Sequence, residues 1–333
     1  MEEHQINIRM FRPMESYQKY GGVLTFARSV GYAVVKKPEG YTTAKVDQII
    51  QEYEKKSANE QQSTVKQYPN IITVVNETFA DIKVLGDFKT NEDYMPFMHK
   101  MQQGADNAIT GYAQVSVCGG NTANSEFEFL TGNTMSFLPS GSIPYQQYIT
   151  RNTPSLASYL ASLGYETYAQ HPYYASGWNR EKVYPLLGFE HLDFIDDYAN
   201  KTYVRKYVSD DADMQHIIDT YEKKEEGKPA FIFNVTMQNH GGYDQTYTNF
   251  SPGISVDGVN SISVSQYFSL IKLSDQALEQ LIDYFSGVDE KTVIVFFGDH
   301  QPSDTVAAPI LAMNGMQWNA LDEEQQKLRY QVP

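Results

Sequence analysis

The chain has 333 residues and a formal net charge of −15 at pH 7, with 41 acidic against 26 basic residues, so it lacks the basic surface that nucleic-acid binding requires. An apolar content of 41% and an aromatic content of 13% exclude a disordered chain. No apolar stretch approaches the roughly 20 residues that a membrane span needs, and the single Cys118 excludes an internal disulfide while leaving the redox compartment open.

Residues 1–68 are predicted to form a unit apart from the rest of the chain. They contain a predicted helix over residues 43–53, and then a polar run over residues 55–64 that has the composition of a linker. The residues after Met1 are too polar for a signal peptide. We therefore expect any targeting or membrane segment to lie outside this chain, which would then be a fragment.

Three apolar runs each end in residues that bind metal or phosphate. The runs cover residues 71–75, 231–235 and 292–297, and they lead into Glu77, into His240 and into the pair Asp299-His300. Each run predicts a buried strand, and such runs alternate with helical patterns. The alternation predicts an α/β fold with a mostly parallel central sheet and helices on both faces. Because ligands bind beyond the carboxyl ends of parallel strands, these side chains are expected to converge in an enzyme site.

The Gly-Gly-Asn-Thr sequence at residues 119–122 contains the candidate nucleophile. Two glycines allow a tight turn, and a helix that opens after them would favour an anion at its N-terminus. The hydroxyl of Thr122 becomes a nucleophile only if a divalent cation lowers its pKa. Glu77, Asp299 and His300 would hold that cation. A set rich in oxygen with one nitrogen suits manganese or magnesium and tolerates zinc.

Two helices are predicted between these motifs. The first has Thr153 as its N-cap and Pro154 at its first position, and Gly164 ends it. Its apolar stripe consists of Leu156, Tyr159, Leu160 and Leu163. The second helix covers residues 264–285 and has an apolar repeat near 3.6 residues. The acidic pairs at residues 196–197 and 210–211 are interpreted as solvated loops.

A second polar cluster, at residues 171–180, follows a short strand-like run at residues 165–169. Arg180 offers a planar fork for two phosphate oxygens, His171 can donate to a phosphate or to a glycol hydroxyl, and Trp178 provides a flat wall. Together these side chains predict a phosphoester site.

Five short motifs stand in a fixed order along the chain: Asn76-Glu77-Thr78-Phe79, Gly120-Asn121-Thr122 with Ser125-Glu126-Phe127, Trp178-Asn179-Arg180, Gln238-Asn239-His240 and Gly298-Asp299-His300-Gln301-Pro302. Their order and spacing resemble the lipoteichoic acid synthase-like phosphoglycerol transferases of the alkaline phosphatase and sulfatase superfamily. The resemblance covers most of the chain. Residues 20–22 and 37–41 also look like the segment that joins the family's membrane helices to its catalytic domain.

The resemblance implies that residues 69–333 are a sulfatase-like catalytic domain on the extracellular face of a Gram-positive-type cell membrane, attached through a segment absent from this chain. It implies Thr122 as the nucleophile and one divalent metal, usually manganese, bound by Glu77, Thr122, Asp299 and His300. It also implies that four residues surround glycerol phosphate: His171, Trp178, Arg180 and His240. Among these, His240 would protonate the leaving group or activate the acceptor hydroxyl.

The implied donor is phosphatidylglycerol, and the implied acceptor is a glycerol phosphate polymer or a glycolipid. The other four histidines are expected to be structural or surface groups: His4, His99, His191 and His216. The chain departs from the family pattern at Asn121, where the family often has lysine, and this loss of positive charge indicates a different headgroup or acceptor. It also stops at Pro333, where the family resumes with another strand, so a C-terminal truncation is expected.

Three alternatives stay open. A sulfatase would need a Cys/Ser-X-Pro-X-Arg context, and residues 118–122 lack both the proline and the arginine. A phosphoethanolamine transferase or phosphodiesterase of the same superfamily also uses threonine, but commonly with more zinc ligands. A catalytically idle domain that binds anionic glycopolymer would not need Glu77, Thr122, Asp299 and His300 all intact.

Overall fold

The computed structural model describes residues 13–32, 35–59 and 67–333. Its helices are α1 (Pro13–Tyr20), α2 (Gly22–Tyr32), α3 (Thr43–Asn59), α4 (Pro96–Gln102), α5 (Thr122–Thr131), α6 (Pro144–Gln147), α7 (Leu156–Ser162), α8 (Arg180–Leu186), α9 (Asp210–Lys223), α10 (Ile262–Ser286), α11 (Asp304–Met313) and α12 (Glu323–Leu328). Its strands are β1 (Asn70–Asn76), β2 (Ala113–Gln114), β3 (Glu166–Gln170), β4 (His191–Asp193), β5 (Tyr203–Val204), β6 (Tyr207–Val208), β7 (Ala230–Val235), β8 (Thr292–Gly298) and β9 (Gln331–Val332).

The three predicted apolar strands are neighbours in one parallel sheet. The sheet has five strands in the order β4-β3-β7-β1-β8, and every pair in it is parallel. Val75 pairs with Val235, and Asn76 pairs with Gly298, so β1, β7 and β8 end at the same edge. Strands β1 and β7 are buried on both faces, and such strands have nearly continuous apolar sequences. β8 lies at the edge of the sheet and only Gly298 in it is buried, so the prediction of a buried strand is wrong for β8. The predicted parallel α/β fold is confirmed.

Helices cover both faces of this sheet, as predicted. On one face Val75 packs in a cluster with Leu130 of α5. On the other face Ile72 packs with Ile217 of α9 and Leu281 of α10. Alternate residues of β1 therefore serve two separate cores. The helix predicted at residues 264–285 is confirmed as α10.

The helix predicted at residues 43–53 is longer in the structure. Because α3 continues to Asn59, the prediction of a linker is wrong for the first half of residues 55–64, and residues 60–64 lie outside the described residues. Lysine and glutamate are good helix formers, and Lys56 pairs with Glu52 across one turn at 3.0 Å. Within the described ranges, no helix combines the length and the hydropathy of a membrane span.

The start of α7 also differs from its prediction, because Ser155 and not Thr153 is the N-cap. The Ser155 hydroxyl accepts from the Ser158 N–H, and the Ser158 hydroxyl accepts from the Ser155 N–H, which is a capping box. Tyr159 is 61% exposed and lies outside the apolar stripe. Gly164 follows the helix at φ +93°, as its predicted terminal position requires.

The last residues of the chain pack over the loop that follows β8. β9 pairs with β2 in a separate antiparallel ribbon. Gln301 Nε2 donates to the carbonyls of Leu328 and Gln331, and the Gly298 N–H donates to the Pro333 carbonyl at 3.3 Å. These bonds fix the loop that carries Asp299 and His300.

Gly298 ends β8 at a point where no side chain fits. A Cβ atom there would lie 1.8 Å from the Phe79 carbonyl oxygen. We expect Gly298→Ala to lower the free energy of unfolding by about 3 kcal/mol or more, because the backbone must shift to relieve this overlap. Urea unfolding measures the change. Gly111→Ala is the control, since a Cβ atom at Gly111 meets nothing within 4 Å. Equal stability of both variants would contradict the prediction.

Candidate active site

The loop after β1 carries Glu77. Its backbone is strained at Thr78, and hydrogen bonds tie it to the ends of neighbouring strands. Thr78 has φ 56°, a left-handed backbone that a β-branched residue rarely adopts. Its N–H donates to Asp299 Oδ1 at 2.6 Å, and its hydroxyl donates to Glu77 Oε1 at 2.7 Å. The Glu77 N–H donates to Thr236 Oγ1 at 3.1 Å. The ends of β1, β7 and β8 are therefore tied together around the Glu77 carboxylate.

Glu77, Asp299 and His300 form a buried cluster whose ligand atoms lie within 4.8 Å of one another. Asp299 Oδ2 and His300 Nε2 are 3.1 Å apart, and neither atom has a hydrogen-bond partner among the described residues. His300 Nδ1 lies 2.9 Å from the Gln301 carbonyl and donates to it, so Nε2 keeps its lone pair. These two carboxylates and one imidazole fit a divalent cation and do not select among manganese, magnesium and zinc.

The pKa values of the cluster reflect two carboxylates buried together. Burial raises the pKa of Asp299 to about 7, and the neighbouring charge of Glu77 adds to this. Burial alone would also raise the pKa of Glu77, but His240, His300 and two threonine hydroxyls lower it overall. Burial would lower the pKa of His300, yet Asp299 and Glu77 raise it above its ordinary value. A divalent cation here would replace these protons as the source of positive charge.

Thr122 joins the cluster from the N-terminus of α5. Asn121 precedes the helix with φ 71°, which turns the chain sharply at this point. Thr122 Oγ1 donates to Glu77 Oε2 at 3.2 Å. One turn along the helix, Ser125 Oγ donates to the Asp299 carbonyl at 2.6 Å. The hydroxyl is thus held beside the carboxylates that the sequence analysis assigned to a metal.

Arg180 is buried at the start of α8 and faces Glu126 of α5. Its Nε lies 3.2 and 3.3 Å from the two carboxylate oxygens of Glu126, and its Nη2 also bonds Glu126 Oε1. The sequence analysis expected the planar fork of Arg180 to face two phosphate oxygens. The Nε–Nη2 edge instead faces Glu126, which leaves Nη1 and the outer N–H of Nη2 for a ligand.

His171 follows β3 and is a neutral hydrogen-bond acceptor. Its Nδ1 lies 2.7 Å from the Val235 carbonyl, and because a carbonyl can only accept, this nitrogen carries the proton. Burial lowers the pKa of His171 well below its ordinary value, and electrostatic interactions with Arg180 and His240 add to this effect. His171 Nε2 therefore accepts a hydrogen bond. It suits a substrate hydroxyl, whereas the expected donation to a phosphate is excluded for this tautomer.

His240 is exposed after β7 and is held by a hairpin that the sequence analysis did not mark. The hairpin consists of β5 and β6. Its Tyr207 hydroxyl lies 3.1 Å from His240 Nδ1. Its Arg205 Nη2 donates to the carbonyls of Gln238 and His240 at 2.7 and 2.8 Å. Both the ring and the backbone of His240 are therefore positioned by β5 and β6.

Left-handed backbone is concentrated around these residues. Six non-glycine residues of the described chain have positive φ. Five of them belong to the candidate site, adjoin it in the chain or contact it: Thr78, Asn121, Trp178, Asn179 and Arg205. Trp178 and Asn179 form the turn that leads directly into Arg180. Such conformations cost about 1–3 kcal/mol each and persist where the surroundings enforce them, as they do at active sites.

A buried polar network lies behind Glu77 and supports the residue before it. Asn76 Nδ2 donates to Asp210 Oδ2 at 2.9 Å, and Ser274 Oγ donates to the same oxygen. Asn239 Nδ2 donates to Asn76 Oδ1 at 3.2 Å. Asp210 is fully buried at the first position of α9, so the interpretation of residues 210–211 as a solvated loop is wrong for it. Acidic residues occur in loops and also stabilise helix N-termini, and the local sequence does not distinguish the two settings.

Asp213, in the first turn of α9, makes stability depend on pH. Its Oδ1 accepts from Tyr198 Oη and from Asn234 Nδ2, both at 2.7 Å, and burial raises its pKa from 3.8 to about 8. A raised folded-state pKa of an acid gives stability that is present at low pH and is lost as pH rises from about 4 to 8. We expect Asp213→Asn to stabilise the protein by about 1 kcal/mol or more at pH 8 and not at pH 4. Urea unfolding at both pH values checks this, with the exposed Asp211→Asn as control; an equal gain at both would contradict it.

The predicted site residues lie at one edge of the sheet. Thr122 contacts the buried cluster directly, His240 interacts electrostatically with Glu77, and His171 does so with Arg180 and His240. Trp178 lies in the turn before Arg180. The sequence analysis assigned no role to Glu126, Arg205 or Tyr207, because their contacts join segments far apart in the chain and leave no local pattern.

Comparisons with known proteins show which family the chain belongs to. The sequence profile of the family described as Sulfatase matches residues 69–324. The chain is 35% identical over 301 residues to a Rhizobium meliloti protein described as a putative cyclic beta-1,2-glucan modification protein, covering 88% of this chain and 44% of that protein. It is 26% identical over 242 residues to lipoteichoic acid synthase 1 of Bacillus subtilis, covering 69% of this chain and 36% of that protein. It therefore spans less than half the length of either relative.

Among solved structures, the fold is similar to that of the Streptococcus pyogenes phosphoglycerol transferase GacH in complex with sn-glycerol-1-phosphate. The TM-score is 0.72 at 22% identity, with 89% of this chain and 75% of that chain covered. This likeness and a similar one to a Vibrio parahaemolyticus protein of the alkaline phosphatase superfamily (TM-score 0.58 at 16% identity, with 80% of this chain and 59% of that chain covered) confirm the predicted alkaline phosphatase and sulfatase-like fold.

Proposed function

We propose that this chain, which belongs to the sulfatase family, is the catalytic domain of a metal-dependent phosphotransferase that moves glycerol phosphate onto an acceptor hydroxyl. The observation that carries the proposal is the Thr122 hydroxyl, 3.2 Å from Glu77 Oε2 and beside the buried cluster of Glu77, Asp299 and His300. A hydroxyl beside a cation site suits nucleophilic phosphoryl transfer. The Pro and Arg of the sulfatase sequence pattern are missing from residues 118–122, which argues against sulfate-ester hydrolysis.

Two relatives support glycerol phosphate as the transferred group. One is named a lipoteichoic acid synthase, and the structural neighbour GacH is a phosphoglycerol transferase bound to sn-glycerol-1-phosphate. We infer that phosphatidylglycerol is the donor and manganese the metal. The whole protein would be anchored in the cell membrane through a segment outside this chain, with the present domain on the extracellular face.

In the first step, Thr122 Oγ1 would give its proton to solvent, and the resulting alkoxide would bond to the headgroup phosphorus. The bond from phosphorus to the diacylglycerol oxygen would break, and that oxygen would take a proton from His240 Nε2. The product would be glycerophosphoryl-Thr122 and diacylglycerol. Tyr207, at 3.1 Å from His240 Nδ1, would hold the ring while Nε2 gives up its proton.

In the second step, the acceptor hydroxyl would give its proton to His240 Nε2 and bond to phosphorus while the bond to Thr122 Oγ1 breaks, which returns Thr122 as the alkoxide and His240 in its protonated form. Arg180 would donate to a phosphoryl oxygen in both steps, and His171 Nε2 would accept from a glycerol hydroxyl. When bound at Glu77, Thr122, Asp299 and His300, a divalent cation would supply Lewis-acid stabilisation of the threonine and phosphoryl oxygens.

The acceptor is proposed to be a glycerol phosphate polymer or the sugar hydroxyl of a glycolipid or glycan. The relative described as a cyclic beta-1,2-glucan modification protein supports a sugar hydroxyl, and the lipoteichoic acid synthase supports a glycerol phosphate polymer. Transfer of radiolabelled glycerol phosphate to each acceptor, supplied separately, decides between them.

Release of diacylglycerol from vesicles tests the donor. We expect the manganese-loaded protein to release diacylglycerol from phosphatidylglycerol and not from phosphatidylethanolamine. Faster release from phosphatidylethanolamine would replace the proposal with a phosphoethanolamine transferase. Vesicle binding with no release from either lipid would favour the idle binding domain.

A further inference from the structure

The carboxylate of Glu126 is buried beside the candidate site and has no role in the proposed chemistry. Its residue is fully buried and lies on α5, four positions after Thr122. Residues four apart on a helix lie on the same face, one turn from each other. Glu126 therefore belongs to the helix face that also presents the candidate nucleophile.

Both oxygens of Glu126 are used by neighbouring side chains. Arg180 Nε lies 3.2 Å from Oε1 and 3.3 Å from Oε2, and Arg180 Nη2 also bonds Oε1. Tyr184, one turn after Arg180 on α8, donates its hydroxyl to Oε2 at 2.8 Å. The side chain of Arg180 is 3% exposed and that of Glu126 is not exposed at all. Arg180 and Glu126 therefore form a buried ion pair, and the neutral Tyr184 hydroxyl is a third partner.

A contribution to the stability of the fold does not explain why this ion pair is present. Taking two charges out of water costs as much as their attraction returns, so apolar side chains of similar volume commonly do as well. The pair does give Arg180 a defined orientation, because a guanidinium held by its Nε–Nη2 edge cannot rotate. The remaining nitrogen, Nη1, lies toward Gly177, where a Cβ atom would be 3.6 Å from it.

We propose that Glu126 is the positioning residue for Arg180, and that it fixes the guanidinium relative to Thr122 because both Glu126 and Thr122 belong to α5. This rests on the proposed function, in which Thr122 attacks phosphorus and Arg180 donates to a phosphoryl oxygen. The pair is neutral overall. Arg180 therefore contributes directed hydrogen bonds and little net positive charge. Lysine cannot replace it, since an ammonium group cannot bond Glu126 along one edge and donate to a ligand from another.

The first test needs no substrate. In protein labelled with ¹⁵N, we expect the Arg180 Nε–H signal to exchange slowly with water, because it is buried against a carboxylate. In Glu126→Gln, which keeps the size of the side chain, exchange should become at least 10-fold faster. Glu128→Gln is the matched control, since Glu128 lies on the same helix and accepts from the Met135 N–H instead. Unchanged Nε–H exchange in Glu126→Gln would overturn the proposal.

The second test measures the rate of glycerophosphoryl-Thr122 formation. We expect Glu126→Gln to lower the maximal rate by about 10- to 100-fold with little change in the donor KM, and Glu128→Gln to leave both unchanged. If Glu126 had only a structural role, Glu126→Gln would reduce the amount of folded protein but not the rate per active molecule. The total amount of adduct at the end of the reaction measures the active protein, so the two cases can be distinguished.

A double variant covers the case in which Glu126→Gln does not fold. Glu126→Met with Arg180→Met removes both buried charges and should be as active as Arg180→Met alone, because Glu126 acts only through Arg180. A further loss of 10-fold or more in the double variant would overturn the proposal. If the wild type forms no adduct from phosphatidylglycerol, the proposed function fails. The exchange rate of the Arg180 Nε–H then still shows whether Glu126 positions Arg180.

Discussion

Thr122→Ala is expected to lower the rate of glycerol phosphate transfer by about 10³-fold or more, because the variant has no oxygen to bond to phosphorus. The hydroxyl lies 3.2 Å from Glu77 Oε2 and its residue is 5% exposed, so a water molecule cannot easily take the place of the missing hydroxyl. Radiolabelled transfer at saturating donor measures the rate.

Thr122→Ser is the matched control for this substitution. It keeps the oxygen and loses only a methyl group, so we expect transfer to remain within about 10-fold of the wild type. Both variants should unfold at urea concentrations close to that of the wild type. Transfer by Thr122→Ala at the wild-type rate would show that the reaction proceeds without a covalent threonine intermediate.

Asp299→Asn is expected to abolish metal binding and to lower transfer by about 10³-fold, since charge stabilisation worth several kcal/mol is lost with the cation. Asp299 Oδ2 has no hydrogen-bond partner in the described part of the chain and lies 3.1 Å from His300 Nε2. Its backbone-directed oxygen, Oδ1, accepts from the Thr78 N–H and can keep that bond as an amide oxygen. The loop should therefore survive the substitution.

A melting curve with and without manganese separates the loss of metal from a loss of fold. A cation that binds only the folded wild type should stabilise it by about 2.7 kcal/mol at a concentration of 100 Kd. In Asp299→Asn the same concentration should have no effect. Without manganese the variant should be at least as stable as the wild type, because it lacks one of two repelling buried carboxylates. A variant still stabilised by manganese would contradict the assignment of Asp299 as a ligand.

The sequence predicted the parts of this molecule whose signal is local. Strands β1 and β7 could be predicted because strands buried on both faces are almost continuously apolar. The edge strand β8 could be predicted from its run of β-branched and aromatic residues, although it is only partly buried. Glu77, Asp299 and His300 could be brought together because strands that run in parallel end at one edge, so residues after each strand become neighbours. The order of the five motifs predicted the family.

The positions that the sequence did not predict depend on contacts between distant segments. Ser155 and Thr153 are both of a residue type that caps helices, and the reciprocal bonds with Ser158 select Ser155. Asp210 resembles any surface acid until Asn76 and Ser274 are placed against it. Glu126 and Arg180 are 54 residues apart in the chain, and their pairing requires the packing of α5 against α8.

Intact-protein mass spectrometry is the measurement that tests the proposed two-step reaction most directly. The manganese-loaded chain is mixed with phosphatidylglycerol without an acceptor, quenched in acid and digested to locate any modification. The proposal predicts a mass increase of one glycerophosphoryl group, located on Thr122 and absent from Thr122→Ala. Release of diacylglycerol with no adduct on Thr122, or with the group on another residue, would contradict it.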